Sequence, residues 1–169
     1  LAATVPFALE TRLRELGDEF TPEQIVGTRE LFAPLVPRPD PSARIARDLR
    51  YGPDARHRLD VFAPASASGM PVVVFVHGGG FLQGDKGDAE APFFNNFGAW
   101  ALREGFIGVT VTYRLAPTHV WPSGPEDMAL VMAWLREHIA DHGGDARRIV
   151  LTGQSAGATH VASYLAQYQ

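Results

Sequence analysis

The sequence has 169 residues, of which 46% are hydrophobic, so it can bury the core of one folded domain. Its formal charge of -4 and its scattered basic residues exclude a basic surface of the kind that binds nucleic acid. The absence of cysteine excludes disulfides and thiolate metal sites. No apolar run approaches the roughly 20 residues that a membrane-spanning helix needs, and no signal-peptide pattern is visible, so we expect a cytoplasmic protein.

Two amphipathic helices are predicted before any strand. The first covers Pro6–Leu16 and ends before Gly17, because glycine is common just past a helix end. The second covers residues 21–33 and opens with a capping box that has proline at its first helical position. Four prolines then fall within residues 34–41, where neither a helix nor a central strand can form.

These signals divide the chain at the proline-rich linker. We assign residues 1–41 to an N-terminal cap with its linker, and residues 42–169 to the N-terminal part of a catalytic domain. Strands over 44–51 and 58–62 should form an antiparallel pair at a sheet edge. The remaining predicted elements are a strand over 72–76, a helix over 91–103, a strand over 106–113, a helix from Pro125, a strand over 148–152 and a helix over 158–168.

Strand, helix and strand in this order imply right-handed crossovers and a parallel sheet. Hydrophobic periodicity predicts a buried face for each of the three helices in this region. The predicted faces are Phe93, Phe94, Phe97, Trp100 and Ala101 on the first helix, Met128, Val131, Trp134, Leu135 and Ile139 on the second, and Val161 and Leu165 on the third.

The stretch Gly153-Gln-Ser-Ala-Gly157 stands between the last predicted strand and the last predicted helix. A serine between two glycines at such a junction fits a nucleophile elbow, in which a tight turn lifts the hydroxyl above the edge of the sheet. The pattern is short and occurs by chance, so its context must support it. We identify Ser155 as the candidate nucleophile.

A second motif supplies that context. His77-Gly-Gly-Gly-Phe81 directly follows the apolar strand over 72–76. A serine esterase needs backbone N–H donors aimed at the oxygen that becomes negative in the tetrahedral intermediate, and a glycine run after a strand can provide them. Together the two motifs indicate a serine hydrolase, whereas either alone would be a weak signal.

With these residues identified, the chain resembles the α/β-hydrolase fold and, within it, the carboxylesterases that are similar to hormone-sensitive lipase. The residues that carry the resemblance are His77-Gly-Gly-Gly-Phe81, Tyr113-Arg-Leu-Ala-Pro117, Glu126-Asp127 and Gly153-Gln-Ser-Ala-Gly157, with Arg58-Leu-Asp-Val-Phe-Ala-Pro64 similar to the strand before the glycine loop. The resemblance covers about residues 44–169. It implies a mostly parallel sheet with flanking helices and an N-terminal helical cap.

The resemblance also implies roles for particular residues. The N–H groups of Gly79, Gly80 and Ala156 would form the oxyanion hole, and His77 would orient its own loop instead of acting as the catalytic base. Arg114 and Asp127 would form a structural ion pair, although two separately solvated charges are an equally good interpretation of the sequence.

The implied substrates are short-chain or otherwise compact esters, with the N-terminal helices covering the acyl pocket. Four apolar residues could line that pocket, and for each of them a plain core position is an equally good interpretation: Phe81, Leu82, Phe93 and Trp121. The implied reaction needs no cofactor. No metal site is predicted, because His138 and His142 are four residues apart without an acidic ligand at a metalloprotease spacing.

The fold family places the acidic residue and the histidine of the triad after the elbow helix, yet only 14 residues follow Ser155. His160 lies in the same predicted helix and should point away from the position of a base. The sheet would also present an unpaired edge. We therefore expect this chain to hold only the first part of the fold, with a C-terminal remainder supplying the acid and the histidine as a second polypeptide.

Two other functions are compatible with the motifs. One is an amidase of the arylformamidase kind, which uses a similar glycine loop and elbow. The other is a catalytically inactive binding protein on the same scaffold, although the presence of Ser155 argues against it. The sequence leaves the oligomeric state open, with a homodimer as one option.

Overall fold

The computed structural model describes residues 7–167 and divides the chain into two compact units, Leu1–Pro37 and Arg38–Gln169. The first unit contains helices α1 (Phe7–Leu16) and α2 (Pro22–Phe32). The predicted capping box is confirmed: the N–H of Gln24 donates to the hydroxyl of Thr21 at 3.2 Å, and Gln24 accepts from the N–H of Thr21 at 3.1 Å. The predicted helix start, Pro6, lies outside the described residues.

The second unit is built on a five-stranded mixed sheet. Its elements in chain order are β1 (Arg44–Arg50), β2 (Arg58–Ala63), β3 (Met70–Val76), α3 (Pro92–Arg103), β4 (Ile107–Val111), α4 (Ser123–His138), a 3-10 turn (Ile139–His142), β5 (Gly144–Gly153) and α5 (Ala156–Gln167). The strand order is β1-β2-β4-β3-β5. The pairs β1–β2 and β2–β4 are antiparallel, whereas β3 pairs in parallel with both β4 and β5.

The hydrophobic core lies between the sheet and the helices α4 and α5. Alternate residues of the strands face this side, and Val74 of β3 pairs with Val109 on one side and with Leu151 on the other. The predicted buried face of α4 is confirmed at its four fully buried residues, Met128, Val131, Leu135 and Ile139, whereas Trp134 is half-buried. Within residues 7–167, none of the helices combines the length and apolar composition that crossing a bilayer requires.

The buried side of α3 differs from the predicted aromatic face. Its buried residues are Asn95, Gly98 and Ala101. The helix comes so close to the sheet that a Cβ atom on Gly98 would overlap the ring of Phe62 on β2. Small residues therefore occupy the contact, and of the predicted aromatic face only Ala101 is buried. The aromatic rings lie beside the contact, where two of them pack against Phe75, while Trp100 is 38% exposed.

The helix α5 buries a different set of residues from the predicted pair. Val161 is buried as predicted, but Leu165 is 41% exposed. Tyr164 and His160, which are 6% and 8% exposed, face the core in its place. These residues form one stripe along the helix because positions three and four apart lie on the same side.

Two helices begin earlier than predicted. The helix α4 begins at Ser123, and Pro125 falls in its first turn, where a missing N–H costs no helical hydrogen bond. The helix α5 begins at Ala156, because the carbonyl group of Ser155 already accepts a hydrogen bond from the N–H of Thr159 at 3.1 Å.

The close contact between α3 and β2 predicts the effect of adding one methyl group. Gly98→Ala should lower the free energy of unfolding by about 1–3 kcal/mol, although alanine is the better helix former, because the buried ring of Phe62 cannot move aside. Urea unfolding of the variant and the wild type measures the difference.

A double-mutant cycle is the control. Phe62→Ala removes the ring atoms that the new methyl group would meet, so Gly98→Ala should cost less in that background than in the wild type. Equal costs in the two backgrounds would show that the ring does not limit the approach of α3.

Candidate active site

Ser155 lies at the junction between β5 and α5, as the elbow motif predicts. Its φ angle is +51°, in the left-handed region that a residue with a side chain rarely adopts. A Cβ atom on Gly157 would overlap the carbonyl oxygens of Val76 and His77 at the end of β3, and one on Gly153 would lie 2.5 Å from the backbone nitrogen of Ala158. Glycine is therefore required on both sides of the serine, because Gly157 is pressed against the end of β3 and Gly153 against the first turn of α5.

The glycine loop covers residues 77–84 and leaves the end of β3 beside the elbow. A Cβ atom on Gly78 would lie 3.3 Å from the Cβ atom of Ser155 and 3.1 Å from the carbonyl oxygen of Gln154. The loop then turns sharply, with positive φ angles at Gly79 (131°) and Gly80 (62°). The structure therefore brings together the two motifs that the sequence associates with one site.

Three backbone N–H groups near this junction are free. The N–H groups of Gly79, Gly80 and Ala156 donate no hydrogen bond to any residue that the structure describes. Free N–H groups beside a serine can donate to an oxygen that acquires negative charge. The oxyanion-hole role of these three groups stays a prediction, and each of them is available for it.

Tyr113, which follows β4, supports the glycine loop by a hydrogen bond and a ring contact. The Tyr113 hydroxyl donates to the carbonyl oxygen of His77 at 2.9 Å, and the two rings stack with centroids 4.3 Å apart. Arg56 links the same parts: its Nε donates to the carbonyl oxygen of Tyr113 at 2.7 Å, and its Nη2 donates to that of Gly84 at 2.8 Å. Arg56 precedes β2 and was not predicted from the sequence, because no local pattern connects it to the loop.

His77 contacts its own loop, as the resemblance implies. Its Nδ1 lies 2.7 Å from the carbonyl oxygen of Gly78, and because a carbonyl group only accepts, the ring carries its proton on Nδ1. Burial lowers the pKa of His77 below its usual range, which favours the neutral ring in this position. Burial also raises the pKa of Tyr113 to about 12, so its hydroxyl stays a hydrogen-bond donor at neutral pH.

Asp127 is fully buried and organises the connection between β4 and α4. Its carboxylate accepts from the Nε of Arg114 at 2.7 Å and from the backbone N–H of Arg114 at 2.8 Å. The structural ion pair is therefore the correct interpretation of these two residues. A third partner, His57, has its Nε2 3.0 Å from the same carboxylate, and no local pattern in the sequence predicts this contact.

None of the six histidines is hydrogen-bonded to Ser155, whose hydroxyl makes no hydrogen bond to any residue between 7 and 167. His160 is buried, with its ring 4.6 Å from the ring of Tyr113 and 5.2 Å from that of Phe81. Its Nε2 has no hydrogen-bond partner among the described residues, and burial lowers its pKa. His160 therefore packs behind the glycine loop and is not hydrogen-bonded to the candidate nucleophile.

The residues predicted to line a substrate pocket differ in their exposure. Phe81, Leu82 and Trp121 are 40%, 64% and 65% exposed, so the core interpretation is wrong for these three. Phe81 is tied to the segment after β4, because its carbonyl oxygen accepts from the N–H of Ala116 at 2.9 Å. Phe93 is half-buried at the start of α3. Their role in binding substrate stays a prediction.

The remaining prediction about the histidines is that His138 and His142 do not form a metal site. His138 and His142 both lie beside Trp134, at ring-centroid distances of 5.0 and 6.1 Å. Among the described residues, no group of three or more histidine, aspartate or glutamate side chains is arranged to hold a metal ion.

An elbow after β5, a glycine loop after β3 and parallel strand ends that meet at one edge define an α/β-hydrolase fold. Residues 59–169, more than half of the chain, match the model of the BD-FAE family, and the chain belongs to that family. The fold class that the sequence predicts is confirmed by Esterase B from Lactobacillus rhamnosis, which superposes with a TM-score of 0.69 at 22% identity and covers 93% of this chain.

Curated relatives include other esterases. Esterase LipQ of Mycobacterium tuberculosis is 36% identical over 135 residues, which are 76% of this chain and 31% of LipQ. The probable isoprenylcysteine alpha-carbonyl methylesterase ICMEL1 of Oryza sativa is 36% identical over 123 residues, which are 72% of this chain and 28% of that protein. These relatives confirm the resemblance to carboxylesterases. The chain spans less than a third of their length and about half of Esterase B.

Two of the three buried histidines, His77 and His160, predict how stability depends on pH. The pKa values of His77 and His160 are lowered by burial, so between those values and the ordinary value near 6.5 the unfolded chain binds more protons than the folded chain. Stability should therefore rise with pH across this window and be lost as the pH falls below about 6.5. His160→Leu removes one of the two groups and should make the free energy of unfolding less dependent on pH between 5 and 7.5.

Urea unfolding at several pH values measures this dependence. Leu165→Ala is the matched control, because it changes an exposed residue of the same helix that does not titrate. The pH dependence of the control should equal that of the wild type. If His160→Leu also keeps the full dependence, protonation of His160 does not contribute to acid unfolding.

Proposed function

We propose that this chain is the nucleophile-bearing part of a carboxylic ester hydrolase that acts by acyl transfer through Ser155. The observation that carries the proposal is the position of Ser155 on a turn with positive φ, directly beside a glycine loop in which the N–H groups of Gly79 and Gly80 are free. The Ser155 oxygen attacks the carbonyl carbon of the ester. The resulting oxyanion accepts hydrogen bonds from the N–H groups of Gly79, Gly80 and Ala156, each worth on the order of 3 kcal/mol of barrier lowering.

The tetrahedral intermediate then breaks down in the usual two stages. Cleavage of the bond to the alcohol oxygen releases the alcohol and leaves an acyl group on Ser155. Water attacks that acyl group, and the acid product leaves with the serine hydroxyl restored. The serine proton must pass to a base during attack and return to the leaving alcohol, because a neutral hydroxyl is a poor nucleophile at neutral pH. This reaction needs no cofactor.

We propose that the base and its acidic partner come from a C-terminal remainder that packs as a second polypeptide against this chain. Two observations support this assignment. No histidine in the described part of the chain is bonded to Ser155, and the strand that carries the elbow is the last in the sheet, where Val150 is 51% exposed. A parallel strand added there would bring its own carboxyl end next to the elbow.

The proposed substrates are esters with a short or compact acyl group. Support comes from the exposed apolar side chains of Phe81 and Leu82 on the glycine loop, and from that of Trp121 on the segment after β4. Apolar surface beside polar donors is typical of a site that binds a small, mostly apolar molecule. The loop itself is held by Tyr113 and Arg56, so the donors are positioned before the substrate arrives.

Replacing the nucleophile tests the proposal in the enzyme assembled with its C-terminal remainder. Ser155→Ala should lower kcat/KM for p-nitrophenyl acetate at least a thousandfold, since the acyl group then has no acceptor, whereas the far-ultraviolet circular dichroism should be unchanged. An organophosphate should add one mass increment to the peptide that contains Ser155.

The control is Ser163→Ala, which changes a serine within α5, the helix that follows Ser155, and should keep wild-type turnover and labelling. Wild-type turnover in Ser155→Ala would remove Ser155 from the mechanism. Faster hydrolysis of an aryl formamide than of p-nitrophenyl acetate would favour an arylformamidase-like amidase. Absence of both turnover and labelling in the assembled wild type would favour an inactive binding protein.

A further inference from the structure

Lys86 is the only lysine in the sequence, since the other fourteen basic residues are arginines. Lysine side chains are normally solvated, yet Lys86 is only 5% exposed. It lies in the segment 81–91, which begins within the glycine loop, leads to α3 and contains no helix or strand. A buried cation in an irregular segment must have partners that offset the cost of removing it from water.

The partners of Lys86 satisfy its ammonium group completely. Its Nζ lies 2.8 Å from a carboxylate oxygen of Asp48, 2.8 Å from one of Asp60 and 3.3 Å from the carbonyl oxygen of Gly87. Burial alone would lower the pKa of Lys86, but the hydrogen bonds to the two carboxylates outweigh it and raise that pKa, so the group stays charged. A compact ammonium with three donors suits this position better than a planar guanidinium does.

Asp60 connects Lys86 to a second anchor of the same segment. Its fully buried carboxylate also accepts from the Nη1 of Arg47 at 2.7 Å. The Nη2 of Arg47 donates to the side-chain oxygen of Asn95 at 2.8 Å. The amide nitrogen of Asn95 then donates to the carbonyl oxygens of Asp88 at 2.8 Å and Ala89 at 3.2 Å. Asp60 on β2 therefore fixes both halves of residues 86–91.

Residues 86–91 depend on these anchors for their position, whereas the start of the segment is held by other bonds: Phe81 accepts from Ala116, and Gly84 accepts from Arg56. The segment has no strand partner among the described residues. Besides the bonds from Asn95, α3 contributes the N–H of Phe94, which donates to the carbonyl oxygen of Lys86 at 3.2 Å. The near end of the segment carries Phe81 and Leu82, and the segment leads directly to Phe93. These are the side chains assigned above to the acyl side of the site.

We propose that Lys86 is a positioning residue for substrate binding, which through Asp60 fixes residues 86–91 and with them Phe93, one of the predicted acyl-binding side chains. This role rests on the proposed ester hydrolase function. The glycine loop, residues 77–84, has its own supports, because His77 accepts from Tyr113 and Gly84 accepts from Arg56, and neither bond involves Lys86. Loss of Lys86 should therefore weaken binding of longer acyl groups and leave the chemical step on the shortest ester almost unchanged.

The first test measures positioning without reference to activity. Lys86→Met keeps the length of the side chain and removes its charge, so backbone amides in residues 86–91 should exchange with deuterium at least tenfold faster than in the wild type. Amides of β3, β4 and β5 should exchange at the wild-type rate. Asp48→Asn is the matched control: its side chain is 68% exposed and its amide oxygen can still accept from Lys86, so exchange should change less than twofold.

The second test measures binding in the enzyme assembled with its C-terminal remainder. In Lys86→Met, KM for p-nitrophenyl hexanoate should rise about tenfold, while kcat for p-nitrophenyl acetate stays within twofold of the wild type. Asp48→Asn should keep both values within twofold. If Lys86→Met does not fold, Asn95→Ala removes the second anchor without removing a charge, and the same increases in exchange rate and KM are expected.

The outcomes separate the two proposals. Unchanged exchange in residues 86–91 overturns the positioning role of Lys86, whatever the activity of the enzyme. Faster exchange with an unchanged KM for the hexanoate, or an equal loss of kcat on both esters, overturns its role in substrate binding. A wild type that neither hydrolyses the esters nor reacts with the organophosphate would overturn the proposed function, and with it the role of Lys86 in substrate binding. The exchange result would still decide whether Lys86 positions the segment.

Discussion

The position of Ser155 depends on how closely the elbow approaches the end of β3. At Gly157 the helix α5 touches the carbonyl oxygens of Val76 and His77, and no side chain larger than hydrogen fits between them. This contact exists because β3 and β5 are parallel neighbours, so their carboxyl ends meet at the same edge of the sheet. The serine at the end of one strand is thereby placed beside the glycine loop at the end of the other.

Two buried polar networks hold the irregular segments around this edge. Asp127 receives three hydrogen bonds and fixes the connection after β4, which in turn contacts the glycine loop. The carboxylate of Asp60 forms ion pairs with Lys86 and Arg47 and fixes the segment before α3. Irregular backbone lacks the repeated hydrogen bonds of a helix or strand, so buried side chains must position it. Each network balances its charges, because an unpaired buried charge would be strongly destabilising.

Local features of the fold were predictable because they depend on neighbouring residues. The capping box at Thr21, the order of strands and helices, and the glycine-flanked turn at Ser155 all follow from preferences within a few positions. The predictions were wrong where packing decided the outcome. The aromatic face of α3 turns away from the closest contact because the sheet admits only Gly98 there, and Leu165 is exposed because Tyr164 occupies the buried stripe.

The sequence by itself determined the α/β class, the candidate nucleophile and the glycine loop, since strand and helix periodicity and glycine requirements are local properties of a chain. Only the tertiary structure decided the strand order, the partners of Asp127 and the burial of Lys86. His57 and Asp127 are 70 positions apart, and nothing in either local sequence indicates that they meet. Such pairings depend on which strands become neighbours, and that choice is made by the packing of the whole sheet against its helices.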